Sequence, residues 1–179
     1  MRIPFILAVF IFAVVNAMGQ KSSTSKLNPW SFEYRDSVNG TYKGSEYPSF
    51  DLTTLDGRRI TNESSKGKIT FFSFWFESCA GCRQEIPEMN ALYDSLKDNA
   101  RFQFVAITFD SEESLPDFIA KFNIHFPVAT VGHEEELERL NHHNGYPSLA
   151  IIDKEGRINL IGDSKYSVNW LLTVLRGLL

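Results

Sequence analysis

Ile69-Thr70-Phe71-Phe72-Ser73-Phe74-Trp75-Phe76-Glu77-Ser78-Cys79-Ala80-Gly81-Cys82 is the stretch whose reading decides the fold. The apolar run Ile69 to Phe76 is short enough for a buried strand. Both cysteines of the chain follow it, three positions apart, where a helix is expected to begin and run to about Lys97. Residues at that spacing on a helix lie ~5–6 Å apart, inside the window that a disulfide requires. The helix N-terminus carries about half a positive charge and free N–H groups, so it favours a thiolate on Cys79. Cys79 is therefore expected to be the exposed nucleophile. Cys82, one turn in, is expected to resolve the mixed disulfide.

The helical phase supports that division. At 100° per residue, Cys82, Ile86, Met89, Leu92, Tyr93 and Leu96 share one face, the expected buried face. Glu85 falls inside the same sector, where a carboxylate needs a reason to stay. It is expected either beside the Cys pair or swung out to solvent at the stripe's edge. Pro87 blurs the phase by kinking the helix. A structural bridge across so short a loop removes little chain entropy, and zinc asks for four ligands where two thiols and scattered histidines are on offer. Dithiol redox chemistry is the favoured reading of the pair.

Outward from this centre, strands alternate with helices. Asp56-Gly57 marks a hairpin within Pro48 to Lys68. After the Cys helix come a strand over Phe102 to Phe109, a helix over Leu115 to Phe122 and a strand over Phe126 to Val131. A helix over Glu134 to Asn141 follows. Ser148 to Asp153 and Arg157 to Gly162 pair across Lys154-Glu155-Gly156, and a last helix carries Val168, Leu171, Leu172, Leu175 and Leu179. This order indicates an α/β sandwich with a mixed sheet.

The N-terminus reads as an export leader over residues 1–19. Arg2 precedes an uncharged apolar run from Ile3 to Val15, and small residues follow, with Val15-Asn16-Ala17 or Ala17-Met18-Gly19 for cleavage. The run is short of the ~20 residues that a spanning helix needs. Residues 20–45 read as a linker or arm, leaving the domain over 46–179. Export puts the cysteines where a disulfide persists. A net charge of −4 with no basic run argues against nucleic acid as a partner.

Phe74-Trp75, then Cys79-Ala80-Gly81-Cys82, then Glu85-Ile86-Pro87, and later Gly145-Tyr146-Pro147-Ser148 before the strand ending Ile152-Asp153-Lys154-Glu155-Gly156, resemble the TlpA/ResA/CcmG-like branch of the thioredoxin superfamily. The resemblance covers roughly Tyr47 to Leu179. It implies a thioredoxin-like sandwich: a four-stranded core, an N-terminal β-hairpin, and a helix–strand insertion that fits Ser114 to Val131. It implies that Pro147 is cis and packs on the Cys pair, and that Glu85 handles the proton of the inner thiol. It also implies that Tyr146 and Trp75 meet the substrate. No cofactor or resident metal is expected.

The implied partners are disulfides of other exported proteins, cytochrome c apoproteins among them, with a membrane thiol donor to recharge a monomeric enzyme. Three positions depart from the pattern. Ser73 stands where thioredoxin has a buried Asp, Ser78 replaces a Trp, and Gly81 replaces a Pro. The motif leaves the direction of electron flow open. A second class of function, Cu(I) binding or delivery by the same thiols with His142 or His143, also remains open at this point.

Overall fold

Alternation along the central strand divides the molecule into two cores. Ile69, Phe71 and Trp75 pack into one apolar cluster, and Phe72 and Phe74 into the other. The side-chain period of two forces this split once both faces are covered. The computed structural model describes residues 40–163 and 165–179, without the side chains of Leu137 and Glu138. The expected leader and most of the expected arm lie outside the described residues. Among those described, no helix is long and apolar enough to cross a membrane.

In chain order the elements are β1 (Asp51–Thr53), β2 (Arg59–Thr61), α1 (Asn62–Ser65), β3 (Ile69–Phe74) and α2 (Ala80–Leu96). Then come β4 (Phe102–Thr108), α3 (Leu115–Phe122), β5 (Val128–Thr130), a π-helix (Glu135–Leu140), β6 (Ser148–Ile152), β7 (Ile158–Asp163) and α4 (Val168–Leu178). The main sheet has the order β5-β4-β3-β6-β7, with β1 and β2 forming a separate hairpin. Strands β3, β4 and β5 run parallel, while β6 is antiparallel to both β3 and β7. The expected α/β sandwich, mixed sheet, hairpin and insertion are all present. The insertion α3–β5 supplies the fifth strand beside β4.

Helices α2, α3 and α4 bury their apolar sides in the first cluster, through residues such as Leu92, Phe118 and Leu171. The phenylalanine-rich composition is spent here: Phe104 stacks between Phe71 and Phe126 at 5.0 and 5.1 Å. The second cluster lies under the hairpin and the π-helix, with Tyr47 stacked on Phe72 at 5.2 Å. Both sheet edges are covered, which blunts edge-to-edge association. Leu55 N donates to Val128 O at 2.8 Å on the β5 edge. On the β7 edge Gly44 N donates to Ile158 O at 2.7 Å, so the last residues of the expected arm are tied down.

Two expectations are corrected. The strand expected over Phe126 to Val131 shortens to Val128–Thr130, since Pro127 has no N–H to give a ladder. The helix expected over Glu134 to Asn141 is wound as a π-helix, its end fixed by Asn141 N donating to Glu136 O at 2.7 Å. Such short wide turns occur often at functional sites.

A fully buried amide cluster joins this π-helix to β6. Asn141 Nδ2 donates to Asn144 O, Asn144 Nδ2 to Asn141 O, and Ser148 Oγ to Asn141 Oδ1, each at 2.8 Å. Asn141→Leu leaves the Ser148 hydroxyl and the Asn144 carbonyl without partners. At ~1–3 kcal/mol for each unpaired buried group, about 3 kcal/mol of stability is lost. Urea denaturation checks this, and an unchanged midpoint would show that the cluster carries no stability.

Candidate active site

The end of β3 feeds directly into the Cys pair. Cys79 is the N-cap of α2, and its sulfur accepts a hydrogen bond from Cys82 N at 3.1 Å. The two cysteines form a disulfide, S–S 2.04 Å with Cα atoms 5.3 Å apart. The chain is thus described in its oxidised state. Cys79 sits on the positive end of the helix dipole, as its thiolate form requires.

The loop before it is held from outside. Asp110 Oδ2 accepts from Glu77 N at 2.6 Å and from Thr108 Oγ1 at 2.7 Å, and Arg83 Nη1 donates to Glu77 O at 2.8 Å. Beside Ser78 lies an open groove lined by Glu77, Arg83, Phe118, Lys121 and Phe122.

Pro147 closes the site from the other side. The Tyr146–Pro147 bond is cis. A Cβ placed on Gly81 would lie 3.3 Å from Pro147 Cδ, so the proline ring packs on the backbone between the two cysteines. The glycine at 81 leaves room for that approach. Beneath the pair is a cavity of about 10 Å³, lined by Ser73, Trp75, Cys82, Glu85, Ile86, Met89, Phe126 and Pro147. This is at the lower limit of room for one water.

The structure therefore brings Cys82, Glu85, Trp75 and Pro147 around one small space, with Cys79 and Tyr146 next to them in sequence. Glu85 is half-buried on the cavity wall. Cys79 is less open than expected: it is 8% exposed, against 4% for Cys82. Trp75 is 4% exposed and stacks on Phe118 at 5.3 Å, which makes it a floor of the site and not part of its surface.

His142 lies away from the cysteines. Its ring packs on Tyr42 at 4.5 Å, and Tyr42 packs on the second cluster, whereas the cysteines belong to the first. Burial holds the His142 pKa below its ordinary value. Among the described residues no group of three or more His, Cys, Asp or Glu stands together to hold a metal.

The AhpC/TSA family profile matches residues 43–161. The chain belongs to the AhpC/TSA family. Thiol-disulfide oxidoreductase ResA of Bacillus cereus (strain ZK / E33L) is 31% identical over 123 residues, 67% of this chain and 70% of its own. A thiol:disulfide interchange protein of the thioredoxin family from Chlorobium tepidum TLS superposes with a TM-score of 0.64, at 23% identity, over 76% of this chain and 97% of its own. A thiol:disulfide interchange protein from Bacteroides sp. gives 0.63 at 23% identity, over 76% and 90%. The ResA likeness and the Cys79–Cys82 pair make the chain a thiol–disulfide oxidoreductase, and the superpositions give it the thioredoxin fold.

One residue escaped the sequence reading. Glu136, on the π-helix, is 0% exposed, and neither carboxyl oxygen has a hydrogen bond of standard geometry. Burial lifts its pKa from an ordinary 4.5 to about 9; the Tyr146 hydroxyl opposes the shift and Asp110 adds to it. The sequence offers Glu134, Glu135 and Glu136 in a row, and only the winding of the helix selects the third.

Between pH 4.5 and 9 the unfolded chain ionises at this residue while the folded chain keeps its proton. Stability therefore falls as pH rises through that window. With a pKa unit worth ~1.36 kcal/mol, the cost at pH 7 is on the order of 3 kcal/mol. Glu136→Gln should recover much of it and flatten the slope, measured as Tm against pH from 5 to 9. Parallel curves for the two proteins would show that Glu136 ionises normally.

Proposed function

We propose that this oxidoreductase is an exported reductase of disulfides in other exported proteins. The observation that carries the reading is the placement of Cys79 at the dipolar helix end, bonded to a more deeply buried Cys82 and flanked by an open groove. The groove gives the chain beside a substrate disulfide somewhere to lie, and the segment before Pro147 offers backbone for pairing.

In the reduced enzyme the Cys79 thiolate attacks one sulfur of the substrate disulfide, and the other sulfur leaves and is protonated. Cys82 then gives its proton to Glu85 and attacks Cys79, and the second substrate sulfur leaves as a thiolate that takes up that proton. The enzyme ends as the Cys79–Cys82 disulfide, and a dithiol donor at the membrane returns the two electrons. The leader supports a periplasmic site of action, or one at the outer face of the cytoplasmic membrane. Cytochrome c apoproteins, whose thiols must be free for haem attachment, are the substrate class that the ResA-like character favours. The protein acts as a monomer.

Cys82→Ala in cells should accumulate mixed disulfides through Cys79, and exported proteins should dominate the trapped set. Cys79→Ala should trap little. Equal trapping by both variants, or a trapped set of cytoplasmic proteins, overturns the reading.

Glu85→Gln should slow resolution by roughly tenfold while initial attack keeps its rate, the lower end of what a positioned acid–base group contributes. Stopped-flow reduction across pH separates the two steps. Superimposable pH profiles would remove Glu85 from the proton path.

A further inference from the structure

The Tyr146 hydroxyl is buried and, like both oxygens of Glu136, lacks a hydrogen bond of standard geometry. Three orphaned buried polar atoms on two side chains that act on each other ask for a reason, because each costs free energy unless paired. The two side chains act on each other: the Glu136 charge raises the Tyr146 pKa, and the Tyr146 hydroxyl favours ionised Glu136. Asp110 Oδ2 already takes Glu77 N and Thr108 Oγ1, and the Tyr146 ring is boxed edge-on by Phe76 at 5.1 Å and Phe109 at 5.8 Å. Tyr146 immediately precedes Pro147, whose ring lies on Gly81.

We propose that Glu136 is a positioning residue for protein substrates: its carboxyl latches the Tyr146 hydroxyl and so fixes the backbone of Tyr146–Pro147 against which a substrate strand pairs. The inference rests on the reading that this segment receives substrate. Glu136 touches neither sulfur, so the latch acts on binding and leaves the thiol chemistry alone. The titratable and charged groups that face it are Tyr146 from the loop before β6, Asp110 from the end of β4, and Tyr47, with Arg139 next to Tyr47. Neither of the two groups that act on Glu136, Tyr146 and Asp110, is a cation. Among the described groups that act on it, an ionised Glu136 would have the Tyr146 hydroxyl as its one donor, too few for a buried carboxylate, and the segment loosens.

The test uses insulin as the protein disulfide and dithiothreitol as the reductant, with glutathione disulfide assayed in parallel as a small probe. Glu136→Leu and Tyr146→Phe should each raise KM for insulin about tenfold, the worth of one buried hydrogen bond, with kcat unchanged. Glu136→Gln, whose amide still donates, should keep the wild-type KM at pH 7. It should also hold that KM to pH 10, whereas the wild-type value climbs above pH 9.

A wild-type KM in Glu136→Leu overturns the latch. So does an equal rise in the Leu and Gln variants, which lost packing alone produces, or the same pH profile for wild type and Glu136→Gln. If Glu136→Leu fails to fold, the pH comparison still decides. A wild-type enzyme that turns over glutathione disulfide but not insulin would instead refute the protein-substrate reading, before any variant is compared.

Discussion

The ring of Pro147 rests on the backbone of Gly81, and the reactive end of the molecule is organised around that contact. It joins two parts of the chain that are far apart in sequence: the N-terminus of α2, aimed by β3, and the entry to β6. Antiparallel pairing of β6 on β3, with Phe74 opposite Ser148, sets the entry loop at the right height. The Asn141–Asn144–Ser148 cluster then fixes the direction from which the loop arrives. With either support altered, the disulfide would remain but the surface presented to a substrate would change.

Acidic groups occupy both sides of this contact, on different terms. Glu85 shares a cavity wall with Cys82, half-buried, where a proton can pass to or from a sulfur. Glu136 is wholly enclosed on the π-helix and reaches the site only through Tyr146. One is placed to exchange its proton and the other to keep it. The difference follows from burial and from how many donors each carboxyl meets, and not from residue type.

Much of this was legible because it depends on periodicity. The alternation in Ile69 to Phe74, the helical stripe from Cys82 to Leu96 and the helix and strand between β4 and β6 all follow from spacing of apolar side chains, and the family resemblance marks that last pair as an insertion. The pairing of Cys79 with Cys82 follows from their separation alone. What escaped detection depends on long-range closure. No local signal distinguishes Glu136 from the two glutamates before it, because only the wide π-turn turns its side chain inward. The bond from Ser148 to Asn141, which ties the local Asn141–Asn144 pair to the sheet, forms only once β6 is in place. Cys79 was expected to be open because its thiolate must be; in the oxidised chain it is bonded to Cys82 and buried.

The pairing of Gly44 and Ser45 with Ile158 has a geometric consequence for how the domain is carried. Ile158 opens β7 opposite Ile152, and Ile152 in turn faces Thr70 at the start of β3. The Cys pair follows the far end of that same strand. Gly44 therefore lies at one pole of the main sheet and the disulfide sits at the other. A hold applied at Gly44 itself would act like the handle of a brush, with the reactive face pointing away from it and toward whatever approaches.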